Sequence, residues 1–176
     1  VFLLEYEEED IVESIIQAKP DILAGSVMSP GFRDIIKVVN AVKQRRPETF
    51  TVIGGPHPTF FPQVLEQEKL LDAICLGEGE YAMRDLALSL RDNGELDTNI
   101  KNFWFKHNQK IIKNEVRNLE ADLDSLPFPD RGLYFDKYPF MPRESVRFMT
   151  DRGCPFNCTY CFSKSMKSRY KGNGHW

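Results

Sequence analysis

The sequence has 176 residues, 28% of them charged and 41% hydrophobic, and 23 Lys plus Arg against 26 Asp plus Glu give a net charge of −3. This size and balance predict one soluble globular domain with an appendage. No run of about 18 apolar residues exists, which excludes a membrane-spanning helix, and the mild acidity leaves no polybasic footprint for nucleic acid.

The chain starts at Val1 rather than Met, with no signal peptide in view, so a missing N-terminal segment is expected. Val1 to Leu4 reads as a short strand. Glu8 to Lys19 carries Ile11, Val12, Ile15 and Ile16 on one helical face, and Pro20 stops that helix. Asp21 to Val27 reads as a second strand. Gly31 to Arg46 reads as a helix with Ile35, Val38, Val39 and Val42 facing inward. Phe50 to Ile53 is a third strand, closed by Gly54-Gly55-Pro56. A short helix is predicted around Pro62 to Lys69, a fourth strand at Asp72 to Leu76, and a helix at Glu80 to Asp92.

Strands alternating with helices of this length predict an α/β domain with a parallel sheet covered on both faces. Such sheets bind ligands at the carboxyl ends of their strands. Three loops there invite inspection: 26–31, 54–59 and 77–80. The pattern changes near residue 98. Asn102 to Phe105 and Lys110 to Val116 predict an appended hairpin at about 99–117. Asp122 to Arg131, rich in Pro and Asp, lies in an extended linker at 119–144 that packs on a surface. Ser145 to Met149 is one more strand, running into Asp151-Arg152-Gly153.

Four cysteines carry most of the chemistry: Cys75, Cys154, Cys158 and Cys161. Three of them form C-x3-C-x2-C, a clustering that suits metal ligation in a reducing cytosol better than a disulfide framework. Soft thiolates suit an iron–sulfur cluster or zinc. Three thiolates on one tight loop can hold three irons of a [4Fe–4S] cube and leave the fourth open. The zinc alternative needs Cys75 or His175 as a fourth ligand, and no second knuckle is present. Cys75 sits in the apolar string Ala73-Ile74-Cys75-Leu76, where a small buried hydrophobe is its expected role.

Cys154-Pro155-Phe156-Asn157-Cys158-Thr159-Tyr160-Cys161, following a strand and Arg152-Gly153, resembles the cluster loop of the radical S-adenosylmethionine (SAM) enzymes. The resemblance implies that Cys154, Cys158 and Cys161 ligate the cluster. It also implies that SAM chelates the open iron and is cleaved to a 5′-deoxyadenosyl radical, with Tyr160 beside the adenine. Upstream, Gly54-Gly55-Pro56-His57-Pro58-Thr59, Gly77-Glu78-Gly79-Glu80 and Leu123 to Arg131, in that order, resemble the cobalamin (B12)-binding subgroup of that family. Its implied architecture is a flavodoxin-like (Rossmann-like) B12-binding domain, here 1–118, then the linker, then the start of a radical SAM β/α barrel at 145–176. Ser26 and Met28 match the family's pocket for the nucleotide tail, and Gly54 and Gly55 its Gly-Gly pair.

That family's domain begins with a further strand and helix, and its barrel needs more units than the 15 residues after Cys161 supply. The resemblance therefore implies a piece of a longer enzyme, inactive by itself. The implied reaction is most often methyl transfer to an unactivated carbon of an unknown small-molecule substrate, with an electron donor such as flavodoxin or ferredoxin. Two alternatives stay open: a methylthiotransferase-like radical SAM enzyme without B12, and a non-catalytic zinc- or corrinoid-binding module. His57 is a weak candidate for a cobalt ligand, because the family's Asp-x-His-x-x-Gly string is absent; a loop histidine capping backbone groups is expected. Gly77-x-Gly79-x-x-Ala82 fits a dinucleotide fingerprint, but Glu78 and Glu80 would oppose a pyrophosphate.

Overall fold

The computed structural model describes residues 8–93, 96–138, 143–144 and 149–170. The predicted strand at 1–4 lies outside the described residues, as does the strand at 145–149 apart from Met149. The chain divides into two compact units, Phe2–Arg117 and Asn118–Trp176.

In the first unit, helix α1 (Glu8–Ala18) ends where Lys19 turns left-handed at φ 48° and its N–H reaches Ile16 O at 3.3 Å. Pro20 then prevents continuation. Strand β1 (Ile22–Ser26) leads through a 3-10 turn at Ser29–Gly31 into α2 (Phe32–Arg45). Strand β2 (Phe50–Gly54) is followed at once by α3 (Pro56–Phe60), then α4 (Val64–Gln67), β3 (Ala73–Cys75) and α5 (Glu80–Asn93). α4 matches the helix expected around Pro62 to Lys69, whereas α3 occupies the 54–59 stretch expected to be a loop. Pro56 explains the difference: a proline in the first helical turn loses no needed donor and arrives with φ preset.

Strands β4 (Phe103–His107) and β5 (Lys110–Lys113) complete one five-stranded sheet in the order β1-β2-β3-β4-β5. The expectation of a parallel sheet with an appended hairpin is corrected here. β1, β2 and β3 are parallel, but β4 pairs antiparallel with β3, so the sheet is mixed and the hairpin is part of it. The chain enters β4 at Phe103 opposite Cys75, the carboxyl end of β3, and can only run back along it. The two-residue turn Asn108-Gln109 has φ of 50° and 62°, the geometry whose twist matches a tight hairpin.

Alternate residues of each strand face opposite sides, and the core follows that rule. Ile53 and Ile74 pack with Ile35, Ile36 and Val39 of α2 and with Val64 and Leu65 of α4. Val52, Ala73, Cys75, Phe103 and Phe105 face the other way, onto Ala82 and Leu86 of α5. Ile11, Val12 and Ile15 of α1 pack on Val38 and Val42 of α2. At the amino edge of β3, the Asp72 carboxylate accepts from Lys43 Nζ (2.6 Å), Thr51 N (2.8 Å) and Thr51 Oγ1 (2.9 Å), tying β2, β3 and α2 together. The opposite, carboxyl edge is left to loops.

The second unit has little regular structure among its described residues: a 3-10 turn at Leu123–Ser125, α6 (Gly132–Phe135) and α7 (Ser163–Arg169). Asp122 caps the turn, its carboxylate accepting from Asp124 N at 3.1 Å. No strand occurs among its described residues, and the start of a barrel is not seen there. No helix among the described residues is long and apolar enough to cross a membrane.

Candidate functional site

At the carboxyl ends of β1, β2 and β3 the structure opens a cleft of about 290 Å³. Backbone and small side chains make most of its wall: Gly25 and Ser26 from β1, Gly54 at the end of β2 and Gly55 just after it, Gly77 and Gly79 after β3. Cys75 and Met83 add sulfur-bearing side chains. Of the residues singled out in the sequence, Ser26, Gly54 and Gly55 line this cleft. Met28 does not; its side chain is 68% exposed outside it. Gly77, Gly79 and Met83 were not named as site residues. The 77–80 loop is among the three that the sequence marks for inspection, and the fold brings its Gly77 and Gly79 into the same wall as Gly54 and Gly55.

Gly55 is fixed by two constraints. Its φ is 86°, a region costly to side-chain-bearing residues. A Cβ built there would also stand 2.7 Å from Ser26 Oγ and 3.0 Å from Val27 N. The β1 loop can press this close because Val27 N donates to Gly54 O (3.0 Å) and His57 N donates to Val27 O (3.0 Å). Gly54 is different. A Cβ there would meet Cys75 at an ordinary 3.5 Å, so its bare backbone leaves space in the cleft without being forced by crowding.

Thr59, buried in α3, joins the second and third loops. Its hydroxyl donates to Gly55 O at 2.7 Å and accepts from Gly77 N at 3.0 Å. From the other side, Asn102 holds the same turn. Its Nδ2 donates to Leu76 O (2.7 Å) and Glu78 O (3.0 Å). Ala82, completing the fingerprint-like spacing after Gly77 and Gly79, is fully buried against the sheet, where a small residue lets α5 pack closely.

His57 was expected to cap backbone groups. Instead its Nδ1 lies 2.9 Å from Ser29 Oγ, and its ring stacks on Phe32 with centroids 4.1 Å apart. Burial lowers its pKa, and its Nε2 is enclosed without a hydrogen-bond partner. Cys75 is 4% exposed, and its pKa is pushed up to about 12 by burial and then by Glu80. It is therefore a protonated thiol at neutral pH, as expected of a small buried hydrophobe.

The cysteine triplet lies in the second unit. Cys154 and Cys161 are half-buried, Cys158 is exposed, and none is in a disulfide. Cys161 N donates to Cys158 O at 3.2 Å, closing a tight turn just ahead of α7. A hydrogen bond with the Ser163 hydroxyl lowers the Cys161 pKa, favouring thiolate. Three thiols on one short loop are the donor set an iron–sulfur cluster uses. Among the described residues, however, no group of three His, Cys, Asp or Glu side chains is already gathered to hold an ion. The donors fit a cluster; their final arrangement would form around it. Tyr160 between them is 91% exposed.

Residues 1–87 match the B12 binding domain family. Over 171 residues the chain is 34% identical to an uncharacterized methyltransferase, PH0819, of Pyrococcus horikoshii, covering 94% of this chain and 36% of that protein. It is 31% identical over 160 residues to the cobalamin-dependent radical SAM methyltransferase TokK of Streptomyces tokunonensis, covering 87% and 23%. The chain thus spans about a third or less of the length of these curated relatives. Among solved structures, the cobalamin-dependent SAM radical enzyme OxsB shares the fold with a TM-score of 0.56 at 20% identity, over 66% of this chain and 16% of that one. With a B12-binding domain ahead of its cysteine triplet, this chain belongs to the B12-binding-domain radical SAM family.

Proposed function

We propose that this chain is the cofactor-binding part of a cobalamin-dependent radical SAM enzyme that transfers a methyl group to a small-molecule substrate. The observation that carries the reading is the cleft at the carboxyl ends of β1–β3, walled by Ser26, Gly54, Gly55, Gly77 and Gly79. An open backbone wall at that edge is what a bulky ligand needs to approach closely. The methyltransferase relatives support methyl transfer as the reaction.

In this reading the cleft receives part of the corrinoid, and Cys154, Cys158 and Cys161 hold a [4Fe–4S] cluster. Tyr160, flanked by two of those ligands, offers its exposed ring to the SAM adenine. When bound, the cluster supplies the electron that cleaves SAM, and the corrinoid supplies a methyl carrier. The chain's own residues bind and orient. The three thiols would hold the cluster, and Thr59 ties the two glycine loops together at a fixed spacing. Electrons would come from a small donor protein such as flavodoxin or ferredoxin.

The test is reductive SAM cleavage by the full-length protein, reconstituted without oxygen and reduced with dithionite. 5′-Deoxyadenosine should form with the parent and with Cys75→Ala. It should be absent with Cys154→Ala, Cys158→Ala or Cys161→Ala. Undiminished cleavage in any triplet variant contradicts the ligand assignment.

A further inference from the structure

The hairpin does more than extend the sheet. Asn102, at its entrance, is 1% exposed and held at φ 72°. Its hydrogen-bonding groups are all used. The backbone N–H donates to Glu115 O (2.8 Å), and the carbonyl accepts from Leu76 N (2.8 Å). Oδ1 accepts from Arg117 N (2.8 Å), and Nδ2 donates to both Leu76 O and Glu78 O. Those two carbonyls bracket Gly77, itself left-handed at φ 73° and pinned through its N–H by Thr59. The turn carrying the third wall of the cleft is therefore clamped from two sides by side chains distant in sequence.

We propose that Asn102 is a positioning residue for the corrinoid cleft: its amide fixes the Leu76–Glu78 turn so that the backbone of Gly77 and Gly79 forms the wall. The proposal rests on the cobalamin reading above. Asn102 also ties the hairpin through Glu115 and Arg117, but its Nδ2 reaches the cleft turn, and a second asparagine serves the hairpin without that reach. Asn114 Nδ2 donates to Thr98 O (2.8 Å), Ile100 O (3.1 Å) and Phe103 O (2.9 Å), all within 98–103 and none in the cleft turn. Asn102 faces the cofactor loop; Asn114 faces only the hairpin and its lead-in.

This pair makes a matched test in the full-length protein. Asn102→Asp keeps the shape and the tolerance for positive φ but removes both donors to the turn. Asn102→Gly keeps the backbone conformation without the amide and serves if the Asp variant fails to fold. Asn114→Asp removes the hairpin bonds alone. Hydroxocobalamin affinity is measured by absorbance titration, and hydrogen exchange is followed at 76–79. An Asn102 variant should bind hydroxocobalamin about tenfold or more weakly and exchange faster at 76–79. Asn114→Asp should bind like the parent even where it melts at a lower temperature. Unchanged affinity in a folded Asn102 variant overturns the proposal, as does an equal loss in Asn114→Asp. A parent that binds no corrinoid overturns the cobalamin reading first, and is seen before any variant is made.

Discussion

A methyl group on Gly55 would stand 2.7 Å from the Ser26 hydroxyl oxygen, closer than real Cβ atoms come to such a neighbour. The β1 and β2 loops meet at this point because backbone bonds from Val27 to Gly54 and from His57 to Val27 draw them together. Gly55→Ala combines that clash with a strained φ of 86°. It should destabilise the protein by about 1–3 kcal/mol and displace the Ser26 loop. Urea unfolding of the variant checks the first expectation. A loss below about 0.5 kcal/mol, the range of ordinary surface changes, would contradict it.

Thr59→Val keeps the shape of the side chain and removes the hydroxyl that serves Gly55 O and Gly77 N. Gly77 N then loses its partner in a half-buried turn, at about 1–3 kcal/mol, while Gly55 O keeps Thr59 N at 3.3 Å. The change should appear in the denaturant midpoint. Thr59→Ser, which retains the hydroxyl, should recover most of it. Equal loss in both variants would mean that packing of the methyl, and not the bridge, is what matters.

The four thiols should separate sharply in reactivity. Cys75 is buried, with a pKa pushed up to about 12, so almost none is thiolate at neutral pH. Cys158 is exposed. A thiol reagent applied to the folded, cluster-free protein at pH 7.5 (about one unit below a free thiol) should label the 154–161 segment and spare Cys75 until denaturant is added. Mass spectrometry of the peptides reads the outcome, and early labelling of Cys75 would contradict its burial.

Asp85 on α5 has its pKa lowered. Burial pushes it up, but hydrogen bonds from Arg117 and Arg84 and their charges outweigh that. A carboxylate whose folded pKa lies below its unfolded value stabilises the fold above about pH 4. That contribution disappears as pH falls through the lower folded value. Asp85→Asn should therefore narrow the stability gap to the parent as pH is taken from 7 to 3, because the parent alone loses this ion pair. Denaturant melts at the two pH values measure it, and a gap that widens in acid would reverse the sign.

Much of the first unit was legible because its helices bury one face. Ile11, Val12 and Ile15, and Ile35, Val38, Val39 and Val42, recur at helical spacing and do pack inward. The Gly54-Gly55 turn was legible as a candidate site loop only through its order ahead of Gly77-Glu78-Gly79-Glu80 and the cysteine triplet, since a glycine pair by itself serves plain turns as well. The antiparallel β4 was not, since periodicity reports which face of a strand is buried and says nothing of its direction. Asn102 was hidden for a related reason. Its partners, Leu76 and Glu78, lie more than twenty residues away, and only the pairing of β3 with β4 brings them to its amide. Met28 illustrates the reverse case: a residue picked by motif position that is exposed and does not line the cleft.

In the proposed function one polypeptide holds both a corrinoid and a three-cysteine iron–sulfur cluster. The most direct test is anaerobic reconstitution of the full-length protein with iron, sulfide and hydroxocobalamin, followed by desalting and assay of iron and corrinoid in the same sample. The account predicts about four irons and one corrinoid per chain, with Cys158→Ala losing the iron while corrinoid absorption remains. Iron retained without corrinoid would contradict the cobalamin assignment, and a preparation that takes up only zinc would contradict the cluster.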